Sequence, residues 1–240
     1  MFSAKKIVTG LAVAAAISWA AGTARASEIA RWSFESAANE ALITGTSADK
    51  TGVLDDATVY SARGHHDSFA TAVWSTPAGN GSVNAFSSNG WATAGVTTDY
   101  FYEYQVSTVG EQNIKIEWDQ TGSGTGPRDF KLQYSTDGST FTDFATYSIT
   151  VPIVTWNSTS AFTTTHYSYD LSAVTSLSGQ AAVYFRMAQN SLLANNTNGT
   201  STVASAGTNR MDNVVITPEP ASLALLGLGG LLMIRRRKAA

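Results

Sequence analysis

The sequence predicts an all-β fold: a single antiparallel β-sandwich of the jelly-roll type, flanked by an N-terminal signal helix and a short C-terminal transmembrane helix. Large apolar side chains recur at every second position in several segments of this 240-residue chain, which is the period of a half-buried strand. Turn residues separate these segments. Strand and helix patterns do not alternate, and no period of about 20–50 residues repeats, which argues against parallel α/β folds and solenoids.

Three segments carry the clearest strand pattern: 113–119, 129–135 and 182–188. Successive side chains on a strand point to opposite faces, so each segment would bury one face and expose the other. Further strands are predicted at 29–34, 69–74, 100–107, 140–147, 149–156 and 211–216.

The connections fit this arrangement. Asp137-Gly138 predicts a hairpin between 129–135 and 140–147, because this dipeptide favours the tight turns that join antiparallel strands. The glycine-rich segment 122–127 predicts a loop between two strands, and only 171–177 has a helical pattern.

Residues 1–26 have the three parts of a secretory signal peptide. Two lysines precede a 15-residue apolar stretch, 7–21, and the small residues Ala24 and Ala26 then predict cleavage before Ser27. An uncleaved membrane anchor is the weaker alternative, because a spanning helix needs about 20 residues. The expected partners are the Sec translocase and signal peptidase.

Residues 217–240 contain a second signal. A Pro-Glu-Pro triplet is followed by the uncharged run 221–234 and then by a basic cluster; these groups are Pro218, Glu219 and Pro220, and Arg235, Arg236 and Arg237. The 14-residue run would extend about 21 Å as a helix, against a hydrocarbon core of about 30 Å. We therefore expect a weak anchor whose basic end stays on the cytoplasmic side.

The order of triplet, apolar run and arginine cluster closely resembles the PEP-CTERM sorting signal of Gram-negative bacteria. The resemblance implies processing near the triplet by an exosortase, a membrane-embedded transpeptidase-like protease. It also implies transient anchoring in the inner membrane, followed by display at the cell surface or in the extracellular matrix. Thr217 departs from the family, in which Val is commoner. We thus predict a signal peptide at 1–26, a sandwich domain at 27–216 and a sorting signal at 217–240.

The charge of the predicted domain excludes some partners. Both ends are basic, and between Ser27 and Thr217 only 8 basic residues face 17 acidic ones, a net charge of −9. Nucleic-acid binding, which needs clustered Lys and Arg, is therefore not expected. The absence of cysteine excludes disulfides, a thiol nucleophile and cysteine-based metal sites.

Catalytic residues do not form a convincing set. Asp119 and Asp129, on either side of the 122–127 loop, could serve as the carboxylate pair of a secreted hydrolase, but the favoured interpretation is that Arg128 bridges the two carboxylates. On a strand, the adjacent His65 and His66 would point to opposite faces and could not hold one metal; the favoured interpretation of this segment is a solvated loop rather than a metal site. We therefore expect a protein that is not an enzyme, with a hydrolase as the alternative.

Candidate ligand sites are few. Asp212, beside Asn213 near the end of the domain, is a candidate for structural calcium, which prefers oxygen ligands; the alternative is a bond from Asp212 to the backbone. Trp91 follows a turn and is the best candidate for an exposed aromatic ring that stacks on a sugar. Ice binding is a further alternative, but the threonines are not regularly spaced.

The segments 113–143, 170–187 and 210–216 resemble secreted jelly-roll domains of the galactose-binding-like and lectin-like kind. Together with the sorting signal, this resemblance implies a non-catalytic exported surface or matrix protein that binds exopolysaccharide.

Overall fold

The structure is a computed structural model and describes residues 28–35, 49–53, 61–65, 78–91 and 100–218. Within these residues the fold is all-β, and helical turns occur only as two three-residue 3₁₀ segments, Thr163–Thr165 and Thr175–Leu177. The strands are β1 (Ala30–Trp32), β2 (Asp49–Val53), β3 (Ser61–His65), β4 (Phe86–Ser88), β5 (Phe101–Val106), β6 (Ile114–Gly122), β7 (Asp129–Ser135), β8 (Thr142–Ser148), β9 (His166–Asp170), β10 (Val183–Gln189) and β11 (Asn209–Pro218).

The strands form two sheets in which neighbouring strands are antiparallel. One sheet has the order β1-β11-β6-β9, with β4 also paired to β11, and the other has the order β2-β3-β5-β10-β7-β8. The last strand, β11, lies inside the five-stranded sheet: β6 follows it along one side, and β4 and β1 share the other side.

The apolar core follows from the alternation along the strands. On β6, Ile114, Ile116 and Trp118 are at most 1% exposed, whereas Lys115 and Glu117 between them are partly exposed. The indole of Trp118 stacks on the rings of two tyrosines of β9, with ring centroids 5.5 and 5.7 Å apart. Aromatic rings of this size bury about 150–250 Å² each, which gives the domain a substantial core without disulfides.

The prediction of an antiparallel all-β fold is confirmed. The strands predicted at 129–135, 182–188 and 100–107 correspond to β7, β10 and β5, and the predicted hairpin joins β7 to β8. Gly138 there has φ of +69°, a conformation that glycine adopts without strain.

Two predicted elements are wrong. Residues 149–156 form no strand, since Pro152 has no N–H for a ladder, and 171–177 contains only the 3₁₀ segment Thr175–Leu177 rather than a helix. The predicted strand at 69–74 and both predicted terminal helices lie outside the described residues. Among the residues that the structure describes, no helix is long and apolar enough to cross a membrane.

Candidate functional site

The outward side of the six-stranded sheet carries a row of polar side chains across its central strands. Glu103 of β5 lies opposite Arg186 of β10, and Arg186 lies opposite Gln133 of β7. In the next row, Gln105 and Tyr184 are register partners. These residues alternate with core residues, so the pleat turns them all to the same face. We call the residues Glu103, Gln105, Lys131, Gln133, Tyr184 and Arg186 the Arg186 face.

Arg186 is held rigidly at the centre of this face. Its Cζ lies 3.8 Å from the ring centroid of Phe101 and 3.5 Å from that of Phe141, within the range of cation–π attraction. Its Nε donates to Glu103 Oε2 at 2.6 Å, and Glu103 is only 1% exposed. The pairing compensates a carboxylate that would otherwise be costly to bury, and it fixes the plane of the guanidinium.

The charges of the Arg186 face are balanced locally. Lys131 Nζ donates to Asp143 Oδ2 at 3.1 Å, and Gln133 Nε2 donates to Asp143 Oδ1 at 2.6 Å. Arg186 is paired with Glu103, so Lys131 and Arg186, the two cations among the residues that define the face, both have a carboxylate partner. Tyr184 and Gln105 are partly exposed beside these pairs. Among its defining residues, the face therefore offers planar polar groups and part of a tyrosine side chain without an excess of charge.

A second polar cluster lies on the five-stranded sheet. Asp119 of β6 and Asp212 of β11 are register partners, next to a bulge in β11. Asn213 has φ of +48° at this bulge, a conformation that Asn tolerates better than most residues. Its Nδ2 donates to Asp119 Oδ2 at 2.9 Å and to Asp212 Oδ2 at 3.2 Å, while His166 Nδ1 lies 2.9 Å from Asp119 Oδ1.

Asp212 itself is fully buried and well supplied with donors. Its Oδ2 accepts from the Asn80 backbone N–H at 2.8 Å and from the Ser82 hydroxyl at 2.6 Å, and its Oδ1 accepts from the Asn213 backbone N–H at 2.8 Å. Burial raises the pKa of Asp212 to about 7, and the nearby charge of Asp119 adds to this effect, although the hydrogen bonds oppose it.

These contacts bear on the calcium prediction. Calcium takes six to eight oxygen ligands, whereas the Asp212 carboxylate is surrounded by N–H and O–H donors. Within the described ranges, no group of three or more His, Asp or Glu side chains is placed to hold a metal. The residues around Asp212 therefore fit the alternative, in which this carboxylate bonds to the backbone, and they do not fit a calcium site.

The prediction that Trp91 is exposed is wrong. Trp91 is 1% exposed, and its ring packs edge-on against Tyr102 and Phe130, with centroids 5.2 and 5.6 Å apart. Its Nε1 donates to the Ser88 carbonyl at 3.4 Å. The core needs this large apolar surface, so the indole has no face available to a sugar. Tyr102 and Tyr104 are likewise core residues.

The carboxylate pair proposed for a hydrolase is not assembled. Asp119 lies on the five-stranded sheet and is 6% exposed, whereas Asp129 begins β7 on the other sheet. Arg128 Nε donates to Asp129 Oδ1 at 2.8 Å, so within the described ranges Arg128 pairs with Asp129 and does not bridge it to Asp119. Burial opposes ionisation of Asp129, but hydrogen bonds from Arg128, Ser191 and Ser148 lower its pKa. Both carboxylates thus have structural partners.

The remaining predicted residues lie mostly at the edges of the described ranges. His65 is the last residue of β3, while His66, Ala24, Ala26 and Ser27 lie outside those ranges. In the run Thr163–Thr165, Thr165 is buried, so the run offers no flat threonine array for ice. Pro218 is the buried last residue of β11. The other predicted sorting residues, Glu219, Pro220, Arg235, Arg236 and Arg237, lie beyond the described residues.

Three solved structures illustrate what the chain is similar to. A CBM4 structure shares 12% identity over 79% of this chain and 85% of that chain, with a TM-score of 0.35. The K1 cleaved adhesin domain of Lys-gingipain from Porphyromonas gingivalis W83 shares 16% identity over 79% of this chain and 98% of that chain, with a TM-score of 0.39. TmCBM61 in complex with β-1,4-galactotriose shares 6% identity over 77% of this chain and 98% of that chain, with a TM-score of 0.33. Similarity at this level bears on neither ligand nor activity.

The sequence comparisons concern the tail. No curated protein matches the chain. The model of the PEP-CTERM protein-sorting motif matches residues 217–238, which include the Pro-Glu-Pro triplet, the apolar run and the arginine cluster. The prediction made from these three parts is confirmed: the chain carries a PEP-CTERM protein-sorting motif at 217–238.

Proposed function

We propose that this chain is a non-catalytic exported protein that an exosortase processes, and that its sandwich domain binds a neutral polysaccharide of the extracellular matrix through the Arg186 face. The sorting motif at 217–238 supports export and display at the surface. The observation that carries the binding proposal is the fixed guanidinium of Arg186, held between two phenyl rings and paired with the buried Glu103.

The chemistry of the face favours a neutral ligand. A guanidinium, two amides and a phenol present donors and acceptors in planes that can pair with neighbouring hydroxyl groups of a sugar. Because Arg186 and Lys131 already have carboxylate partners, an acidic polysaccharide would have to displace them. The domain's net charge of −9 also repels polyanions.

Affinity electrophoresis tests the binding proposal. The purified protein is run through gels containing neutral polysaccharides (a β-glucan, a galactan and a xylan), an acidic alginate, and the native matrix polysaccharide. We expect retardation by the native matrix and at least one neutral polysaccharide, and none by alginate. Gln133→Ala and Tyr184→Ala should each weaken binding by about tenfold, the effect of losing roughly 1.4 kcal/mol of contact free energy.

Gln112→Ala is the matched control, because Gln112 is exposed in the connection between β5 and β6 and is not one of the residues of the Arg186 face; its binding should equal that of the unmodified protein. If no polysaccharide retards the protein, or if Gln112→Ala and Gln133→Ala behave alike, the Arg186 face is not the binding site. Release of reducing sugar from the same polysaccharides would contradict the non-catalytic assignment.

A further inference from the structure

The sorting motif overlaps the folded domain. The motif begins at residue 217, whereas β11 continues to Pro218. Thr217 and Pro218 are paired with Lys115 and Ile114 of β6. Among the described residues, the last paired residue of β11 is thus the first proline of the Pro-Glu-Pro triplet, and the strand and the motif share residues 217 and 218.

The residues just before the triplet are held on both sides. Ile216 pairs with Ala30 of β1 and with Ile116 of β6, and its carbonyl accepts from the Ile29 N–H at 2.8 Å. Val214 and Ile216 are both 0% exposed. Ile216 is thus paired on both sides of the strand, Val214 pairs with Trp32 of β1, and both side chains lie in the core.

A protease binds its substrate as an extended segment through main-chain hydrogen bonds and side-chain pockets. To cut a bond before Pro218, it would have to separate β11 from β1 and β6 and withdraw Val214 and Ile216 from the core. Such cleavage requires local unfolding of a central strand, which is among the most protected parts of a fold.

We infer that the sorting cleavage falls after Pro218, within the motif, so that the released protein keeps β11 complete. This inference rests on the proposed processing by an exosortase. In the cleavage, a peptide C–N bond breaks. The carbonyl carbon takes the hydroxyl of water or the nitrogen of an amine acceptor, and the tail leaves with an amino group that has gained a proton.

The position of the cut is read by mass spectrometry of the C-terminal peptide of the protein released from cells. We expect this peptide to end at Pro218 or later; its mass distinguishes a free carboxylate from an attached amine. A peptide that ends at Thr217 or earlier overturns the inference and leaves processing intact. Released protein with its whole tail overturns both the inference and the processing on which it depends.

A second experiment tests whether the fold protects β11 from proteolysis. The full chain, purified in detergent from cells without the processing protease, is digested briefly with proteinase K. We expect frequent cuts after Pro218 and rare cuts within 209–217. Val214→Ala should increase cuts within 209–217 by about tenfold, because such cuts follow the population of the open strand. Val109→Ala makes the same chemical change at a side chain that is 65% exposed. It should not increase the number of cuts within 209–217. Cuts within 209–217 that are as frequent as cuts after Pro218 in the unmodified protein overturn the inference.

Discussion

The buried Asp212 carboxylate makes the stability of the domain depend on pH in an unusual direction. Its pKa is about 7 in the folded protein, against 3.8 for an unperturbed aspartate. Between these values the folded state binds a proton that the unfolded state does not, so the free energy of unfolding falls as the pH rises from about 4 to 7. A difference of about 3 pKa units corresponds to about 4 kcal/mol.

Asp212→Asn removes this titration. We expect urea denaturation between pH 4 and pH 8 to give a wild-type free energy of unfolding that decreases by a few kcal/mol, and a nearly flat profile for the variant. The variant should also be less stable than the wild type at pH 4–5, because the NH₂ group of an amide accepts no hydrogen bond, whereas both oxygens of a protonated carboxyl group can still accept from the groups that Asn80, Ser82 and Asn213 donate.

Asp170→Asn is the control for this experiment. Asp170 is exposed, and the Ser172 backbone N–H lowers its pKa, so its contribution to stability is already complete above about pH 4. The difference between wild type and this control should not change between pH 4 and 8. A difference between wild type and Asp212→Asn that is constant with pH, or that increases with pH, would refute the assignment to Asp212.

Three further predictions concern the core and the metal. Trp91→Ala should lower the free energy of unfolding by about 3–5 kcal/mol in urea denaturation, whereas Val83→Ala, at a side chain that is 64% exposed, should change it little; equal effects would contradict the burial of Trp91. Both side-chain polar atoms of the fully buried Asn195 have no hydrogen-bond partner within the described structure, so Asn195→Leu should be neutral or stabilise by about 1 kcal/mol, and a clear loss of stability would show that it has a partner. The melting temperature should be equal in calcium and in EDTA, since donors surround Asp212; a rise in calcium would restore the calcium prediction.

The strands that the sequence predicts well are those whose two faces differ sharply. In β7, Phe130 and Leu132 are buried between partly exposed neighbours, and this contrast is visible as a period of two. The segments DKTGV of β2 and SARGH of β3 have few apolar residues, so they show no such period. The pairing of β2 with β3, and of β3 with β5, is a tertiary contact, which no local pattern encodes.

The candidate site was less predictable for a related reason. The alternation around Tyr184 and Arg186 indicates that both point away from the core, but it does not reveal which strands lie beside β10. Glu103 is 83 residues from Arg186 in sequence, and only the sheet order brings them together. Trp91 is predicted to be exposed because it follows a turn. That position in the sequence does not show which aromatic rings cover it in the folded protein.

The place of β11 also determines when the domain can fold. Ala30 of the first strand pairs with Ile216 of the last, 186 residues later, so the five-stranded sheet cannot close until nearly the whole domain has been made and exported. Contacts between such distant segments form slowly. A chain that loses its last ten domain residues loses the strand that β1, β4 and β6 share, and it loses the start of the sorting motif as well. The same short segment therefore completes the five-stranded sheet and begins the sorting motif, so a chain whose C-terminal end is not yet exported has neither a complete sheet nor an exported sorting motif.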